Sequence, residues 1–342
     1  MKSPTSPSRR FSAKARRDCV KRGLVFVSLL AGLAGCSAGG QLAALRSAPL
    51  AFTQKFEFAN GSAGKRISHY VFLNGTTSGN VYAYDADTGA LAAVCTLCGG
   101  GAGLTTDRRS GDIAIGTFAG TVTVWHVRGL ELTRYATLTL TSGSYTIGIA
   151  FDSRGNLYAV DDPAFDVIDV FSASTIASGG GPASATFFPR DVSSANYLLG
   201  DGTDLLLSGY RGAESIGARL SGDGGWRLKA GIFKRFGKLG GGGFALDAGR
   251  NLIVSDGRDT LSVFRSPWTG KPSKISSLGF QAQGIALDTS GTKLWATELI
   301  PGKYGASLSN AVALDYPKLA GAALRTAPVE DLFLDIALSP LN

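Results

Sequence analysis

Acidic residues recur at one position of a repeated pattern, where the second apolar run of a repeat ends. The runs are NLYAVDD, NLIVSD and KLWATE, and their acids are Asp161 with Asp162, Asp256 and Glu298. Convergent carboxylates can bind a divalent cation such as calcium through oxygen. Aspartate is also an ordinary turn residue, because its side chain can accept a backbone hydrogen bond two residues on. The sequence leaves a ligand site and a set of turn caps as two interpretations.

Two arginines belong to the same candidate set. Arg211 and Arg258 are predicted to lie in the loops after second apolar runs. If the repeats stand side by side, all these positions fall on one rim of the molecule. The candidate ligand-binding residues are therefore Asp161, Asp162, Arg211, Asp256, Arg258 and Glu298. No complete catalytic motif accompanies them, so neither a catalytic residue nor an assured cofactor is assigned.

Cys95 and Cys98 form a C-x-x-C motif within VCTLCGGGAG. Such a motif can be redox-active at the start of a helix, and a pair of them can hold zinc. Here glycines follow it in place of a helix-forming run, and the sequence has no second C-x-x-C. A local structural disulfide is favoured, with free or redox-active thiols and a metal site as the alternatives.

His69 and His126 are the two histidines of the chain. Each is predicted within a strand, in ISHYVF and in TVTVWHV, where packing is the commonest role. A functional role as a base or metal ligand is the alternative.

The first 35 residues are predicted to be a lipoprotein signal peptide. A basic start is followed by GLVFVSLLAGLAG, which is too short to span a bilayer as a helix. The junction Leu33-Ala34-Gly35-Cys36 resembles the lipobox of bacterial lipoproteins. That resemblance implies that Cys36 is lipidated and becomes the mature N-terminus.

Lipid on Cys36 implies attachment to a membrane, since several acyl chains anchor a protein stably. We expect the cell envelope outside the cytoplasm, and the outer membrane if the cell is Gram-negative. Residues 36–66 are predicted to be a flexible tether and lead-in. The export route, Sec or Tat, is left open.

The positive charge of the chain is concentrated in that leader. The net charge is +8, but eight basic residues and one acid precede Cys36, so the remainder is near +1. Without a basic stripe the body lacks the electrostatic footprint of phosphate binding, and we expect no nucleic-acid partner.

The elements that position the candidate residues are repeated hairpins. Five units share an apolar run ending in aspartate, a short turn and a second apolar run, 41 to 49 residues apart; the aspartates are Asp107, Asp152, Asp201, Asp247 and Asp288. A third and a weaker fourth strand follow each hairpin. Four strands per unit, apolar on both faces, favour blades packed around an axis over a β-sandwich.

The two ends of the chain complement one another. The first unit, ISHYVFLNG, has no preceding inner strand, whereas the chain ends in FLDIALSPLN, an inner strand without a partner. We predict an all-β, six-bladed β-propeller over residues 67–342, closed when the C-terminal strand joins the N-terminal blade.

GIAFDSRGNLYAVDD and its copies resemble the NHL repeat and the gluconolactonase (SMP-30-like) and virginiamycin-B-lyase-like propellers. The resemblance implies a fold more than a chemistry. It also permits a metal held by carboxylate and amide side chains in the channel.

We expect a monomeric binding or interaction module for a small-molecule or protein ligand. A metal-dependent lactonase-like hydrolase or lyase is the alternative, and a purely structural envelope protein is a third.

Overall fold

The computed structural model describes the propeller and part of its lead-in. The described residues are 53–55, 57–58, 69–96, 98–128, 131–144, 146–161, 167–189, 192–211, 214–222, 228–237, 242–301 and 307–339. Cys36, Asp162 and the predicted signal peptide lie outside them.

Six antiparallel four-stranded blades form the predicted all-β propeller, so the predicted fold is confirmed. Blade 1 contains β3 (Tyr70–Gly75), β4 (Val81–Asp85), β5 (Leu91–Cys95) and β27 (Phe333–Leu338). Blade 2 contains β6 (Leu104–Thr106), β7 (Ile113–Gly116), β8 (Thr121–Arg128) and β9 (Glu131–Thr139). Blade 3 contains β10 (Thr146–Phe151), β11 (Leu157–Asp161), β12 (Val167–Phe171) and β14 (Ala185–Phe187).

The other three blades follow in chain order. Blade 4 contains β15 (Ser193–Asp201), β16 (Asp204–Arg211), β17 (Glu214–Gly222) and β18 (Leu228–Gly237). Blade 5 contains β19 (Phe244–Leu246), β20 (Leu252–Ser255), β21 (Thr260–Phe264) and β22 (Lys274–Ser277). Blade 6 contains β23 (Ile285–Leu287), β24 (Lys293–Pro301), β25 (Ser307–Asp315) and β26 (Ala320–Arg325).

Short elements supplement the blades. β1 (Thr53–Lys55) pairs with β9 at the outer edge of blade 2, and β2 (Glu57–Phe58) pairs with β5 of blade 1. A helical turn, α1 (Ala173–Ala177), precedes β13 (Gly180–Pro182), which also pairs with β9. Across the described residues no helix has the length and apolar character needed to cross a membrane.

The C-terminal strand closes the ring as predicted. β27 pairs antiparallel with β3, with Leu338 opposite Val71 and Ala337 opposite Phe72. The backbone N–H of Tyr70 donates to the Ser339 hydroxyl at 2.7 Å. Blade 1 therefore joins the two ends of the propeller sequence.

His69 was predicted within the second strand of blade 1, and that prediction is wrong. Pairing with β4 begins at Tyr70, opposite Asp85, so the strand starts at the residue after His69. His126 lies in β8 as predicted; its ring stacks on Tyr135 at a centroid distance of 3.9 Å.

Each blade buries both faces against its neighbours. Along β11, Leu157 and Ala159 pack in the core shared with blade 2. Tyr158 and Val160 point the other way, into the core shared with blade 4. This alternation explains why the strands are apolar on both faces.

Four of the five repeated aspartates, Asp107, Asp152, Asp247 and Asp288, cap hairpin turns, whereas the carboxylate of Asp201 contacts Nη2 of Arg250 at 2.6 Å. Asp152 Oδ1 accepts the backbone N–H groups of Arg154 at 2.8 Å and Asn156 at 2.9 Å. Gly155 follows with a φ of 84°, which a side chain would strain. The residue types of the repeated turn are thus accounted for by its geometry.

Candidate functional site

Asp161 ends β11 with its carboxylate buried against the loop that arrives from blade 2. Oδ2 accepts the backbone N–H of Ser142 at 2.6 Å, and Oδ1 accepts the Ser142 hydroxyl. Burial raises the pKa of Asp161, and the nearby Asp169 carboxylate raises it further. The hydrogen bonds from Ser142 lower it, but they do not offset the effect of burial. Asp161 therefore fixes a loop between blades.

Asp169 of β12 holds the same loop. It is fully buried and accepts the backbone N–H of Thr141 at 2.7 Å and the hydroxyls of Thr141 and Thr186, each at 2.8 Å. The two carboxylates thus fix Thr141 and Ser142 of this loop through hydrogen bonds.

Asp256 follows β20 and caps its own turn. Its Oδ1 accepts the backbone N–H groups of Arg258 at 2.9 Å and Thr260 at 3.0 Å. Among the predicted ligand residues, this carboxylate matches the turn-cap interpretation directly.

Glu298 occupies the equivalent position of blade 6 but lies inside a strand. It was predicted where the second strand ends, whereas β24 continues to Pro301 because its pairing with β25 extends that far. Its Oε1 lies 3.4 Å from Nη2 of Arg325, while the buried Oε2 has no hydrogen-bond partner in the described part of the chain. Glu298 thus differs from Asp161 and Asp256 in retaining an unpartnered oxygen.

The two predicted loop arginines have different outcomes. Arg258 lies in the β20–β21 loop as predicted. Arg211 is the last residue of β16, opposite Glu214, because that hairpin stays paired to its end. The prediction that Arg211 lies in a loop is therefore wrong.

Arg258 borders an open cleft of about 510 Å³ between the β20–β21 loop of blade 5 and the segment that links blade 5 to blade 6. Its lining residues are Arg258, Asp259, Gly279, Phe280 and Gln281. The walls are tied together by two backbone hydrogen bonds, from Leu278 to the Asp259 carbonyl at 2.6 Å and from Ala282 to the Arg258 carbonyl at 2.5 Å. The cleft combines both charges, an amide and an aromatic ring.

The inner strands meet closely at the propeller axis. In four blades a glycine stands four residues before the repeated aspartate: Gly103, Gly148, Gly243 and Gly284. A Cβ on Gly284 would lie 2.7 Å from Cα of Asp335 in blade 1, and one on Gly243 would lie 3.0 Å from the nitrogen of Ile285. These glycines let neighbouring inner strands approach.

Tyr197 occupies the glycine position in blade 4, and its side chain crosses the axis. The hydroxyl donates toward Gln283 Oε1 of blade 6 at 3.2 Å and the Leu334 carbonyl of blade 1 at 3.0 Å. Blade 4 is adjacent to neither of these blades, so the ring spans the centre. Burial, followed by the charge of Asp335, holds the pKa of Tyr197 well above its usual value.

Asp335 occupies the equivalent position in blade 1. Its carboxylate accepts the backbone N–H groups of Ile336 at 2.9 Å and Leu104 at 3.2 Å. Burial raises its pKa to about 7, although both hydrogen bonds lower it. Within the described residues no group of three or more histidine, cysteine or acidic side chains is placed to hold a metal.

Cys95 and Cys98 are joined as a disulfide. Both are buried in the core between blades 1 and 2, which also contains Leu104 and Trp125. The C-x-x-C motif lies at the end of β5 rather than at a helix start.

Sequence reasoning missed Tyr197, Asp335 and Asn310. Aligning each unit on its aspartate would have placed Tyr197 in the glycine column, and FLDIALS would have placed Asp335 there. Asn310 lies opposite Glu298 in β25, a pairing that no repeated motif indicates.

Comparison with solved structures gives the same architecture at low identity. A chain of a nidogen/laminin complex is 14% identical with a TM-score of 0.59, and the match covers 79% of this chain and 98% of that one. The periplasmic gluconolactonase of Pseudomonas aeruginosa is 13% identical with a TM-score of 0.51, covering 80% and 99%. A functionally unknown protein from Desulfotomaculum acetoxidans is 11% identical with a TM-score of 0.54, covering 80% and 99%. At such identities the likeness shows the propeller fold alone.

No family model and no curated protein matches the sequence.

Proposed function

We propose that this chain is an exported protein, anchored to a membrane through lipid on Cys36, whose propeller binds a ligand in the blade 5–6 cleft. The anchor is supported by the basic start, the short apolar run and the lipobox-like junction. The cleft is the observation that carries the binding role. The cleft is open to solvent, so it suits a ligand or a peptide segment that lies along the surface rather than one that is enclosed.

The lining residues indicate what the cleft can recognise. Phe280 offers an apolar ring, Gln281 an amide, and Arg258 and Asp259 a charge of each sign. A small polar molecule or one segment of a protein partner suits such a mixture. The two walls, the β20–β21 loop and the segment after β22, are joined by backbone hydrogen bonds that hold these groups in place.

A metal-dependent hydrolase acting in the channel is less well supported. Tyr197 spans the axis where such chemistry would be centred, and its hydroxyl is already hydrogen-bonded to two blades. Asp161 and Asp256 are likewise committed to loop and turn contacts. Binding on the rim is therefore the function that the geometry favours.

The binding role is tested by a thermal-unfolding screen of full-length protein in detergent. Sugars, amino acids, nucleotides and short peptides are added to the parent, Arg258→Ala, Phe280→Ala and the control Phe118→Ala. Phe118 is exposed in the β7–β8 loop, away from the cleft. We expect a compound that stabilises the parent and the control but neither cleft variant. Compounds that stabilise all four proteins equally would contradict the assignment.

A further inference from the structure

The outer edges of the blades differ in what covers them. β1 lies along the outer strand of blade 2 and β2 along the outer strand of blade 1, each in antiparallel pairing. Both strands come from the lead-in, so the molecule itself uses strand addition at the outside of its blades. In blade 5 the order β19-β20-β21-β22 ends at β22, and no strand pairs beyond it in the part of the chain that the structure describes.

The backbone of β22 can accept one more strand. Leu278, directly after β22, donates its N–H inward to the carbonyl of Asp259 at 2.6 Å. In an antiparallel ladder, residues that bond to the neighbouring strand alternate with residues whose N–H and C=O groups point away from it. Ser277 and Ile275, one and three residues before Leu278, therefore turn these groups outward. An unpaired row of this kind is a template for strand pairing.

The side chains of β22 leave this edge accessible. A lysine often protects an edge strand, but Nζ of Lys274 donates to carbonyls of the β25–β26 turn in blade 6, with Pro317 at 2.8 Å. Ile275 is 64% exposed. The two other large apolar side chains that the described residues expose, Phe118 and Phe188, lie outside strands. The open edge thus offers an apolar contact to a partner strand.

Positive charge flanks the edge at both ends. Arg258 lies in the β20–β21 loop beside the cleft, and Arg265 and Lys271 lie in the β21–β22 connection at the opposite end of the blade. All three are exposed, and none forms an ion pair among the described residues. One exposed acid, Asp259, accompanies them, whereas Asp256 is used as a turn cap. The charge complement of this edge is therefore acidic.

We infer that the ligand of the cleft is an extended peptide segment, acidic at its ends and apolar between them, that pairs with β22 as a fifth strand of blade 5. Main-chain hydrogen bonds to Ile275 and Ser277 would supply affinity, and the flanking cations would select the acidic ends. The chain runs from β22 directly into the cleft wall at Gly279 and Phe280, so one end of the peptide reaches the cleft. This inference rests on the proposed function and names the class of ligand that the cleft takes.

The probe is a displayed library of random dodecapeptides, selected on the full-length protein in detergent, so that the result does not depend on one chosen sequence. We expect the enriched peptides to carry at least two acidic residues that flank an apolar one. The best of them is synthesised with a fluorescent label and titrated by anisotropy. Methylation of one of the two alternating sets of its backbone nitrogens should weaken binding more than about 10-fold, because it removes the donors of strand pairing and keeps the side chains.

Variants of the edge test the same contacts from the side of the protein. Ser277→Pro removes one outward N–H, and proline is tolerated where the N–H of an edge strand faces solvent. Ile275→Ala removes the apolar contact. We expect each of them, and Arg258→Ala, to weaken the peptide more than about 10-fold while melting close to the parent. Phe188→Ala is the matched control, because Phe188 is 65% exposed directly after the outer strand of blade 3.

The outcomes separate this inference from the cleft assignment. Selection of basic peptides or of none, or equal binding by the parent, Ser277→Pro and Ile275→Ala, would overturn strand addition at β22. If a small molecule then stabilises the parent but not Arg258→Ala in the thermal screen, the cleft assignment still stands. Peptide binding that is lost in Ile275→Ala but kept in Arg258→Ala and Phe280→Ala would support strand addition and contradict the cleft.

Discussion

At the scale of single residues, identical repeat positions have different roles because their neighbours differ. Asp161 meets the hydroxyl and N–H of Ser142, and Asp256 meets the N–H groups of its own turn. Glu298 meets only a half-exposed arginine. The residue type predicts a carboxylate on the rim, whereas the donor that reaches it differs: a loop from the preceding blade for Asp161, its own turn for Asp256 and a strand residue for Glu298.

Asp335 gives a pH-dependent prediction at the same scale. Burial raises its pKa from 3.8 to about 7, so the folded protein holds this proton to a higher pH than the unfolded chain does. Asp335 should therefore make the fold progressively less stable as pH rises from about 4 to about 7, with no further change above that. Asp335→Asn should remove this part of the decline in urea unfolding measured across that range. An unchanged pH profile in the variant would exclude Asp335 as the cause.

At the scale of elements, the hairpins could be predicted from the sequence, whereas the side-chain contacts across the propeller axis could not. The repeated aspartate and glycine specify a turn locally, as the hydrogen bonds of Asp152 show, so the five repeated hairpins follow from the sequence. The meeting of Tyr197 with Leu334 depends on which blade lies across the ring. The same holds for Glu298 and Asn310, whose opposition is set by the length of the β24–β25 hairpin.

The inner-strand glycines yield a prediction for strand packing. Gly284→Ala places a Cβ 2.7 Å from Cα of Asp335, a backbone atom that cannot easily move. We expect a loss of about 1–3 kcal/mol in the free energy of unfolding, as for other overpacked sites. Gly249→Ala is the control, because its added Cβ would meet its nearest atoms at an ordinary 3.4 Å. Equal stability of the two variants in denaturant titrations would argue against close packing at the axis.

At the scale of the whole molecule, the fold depends on the two ends of the propeller sequence meeting in blade 1. Every other blade takes its four strands from one stretch of chain, whereas β27 reaches β3 from the far end. That arrangement leaves no open inner edge in blade 1. It could be predicted because FLDIALSP matches the inner-strand pattern and ISHYVF lacks one.

Truncation tests this closure. Deleting residues 333–342 removes β27 and exposes the inner edge of β3. We expect aggregation and the loss of cooperative unfolding in a purified protein. Restoring the strand as an added synthetic peptide should recover part of the folded signal by circular dichroism. A truncated chain as stable as its parent would be incompatible with ring closure by β27.

The anchor has its own whole-molecule test. Cys36→Ser removes the thiol that the lipobox-like junction would present for lipidation. The variant is expected to move from the membrane fraction to the soluble fraction, and from the detergent phase to the aqueous phase in a partition assay. Partitioning identical to that of the parent would refute lipid attachment at Cys36.

The central claim about the rim is that the carboxylates of Asp161 and Asp256 are structural, whereas Glu298 keeps a buried oxygen without a partner among the described residues. Urea unfolding of the parent, Asp161→Asn, Asp256→Asn and Glu298→Gln, without added metal, tests it most directly. Asp161→Asn should lose about 1–3 kcal/mol, because its hydrogen bonds to Ser142 are charge-assisted. Asp256→Asn should lose about 1 kcal/mol or less, since its amide oxygen can still accept the turn.

For Glu298→Gln, the same measurement should show unchanged or greater stability. The substitution removes a buried charge whose Oε2 has no partner among the described residues and whose Oε1 contacts only the half-exposed Arg325. If Glu298→Gln instead loses as much stability as Asp161→Asn, the Glu298 carboxylate is a structural group, and the central claim is contradicted.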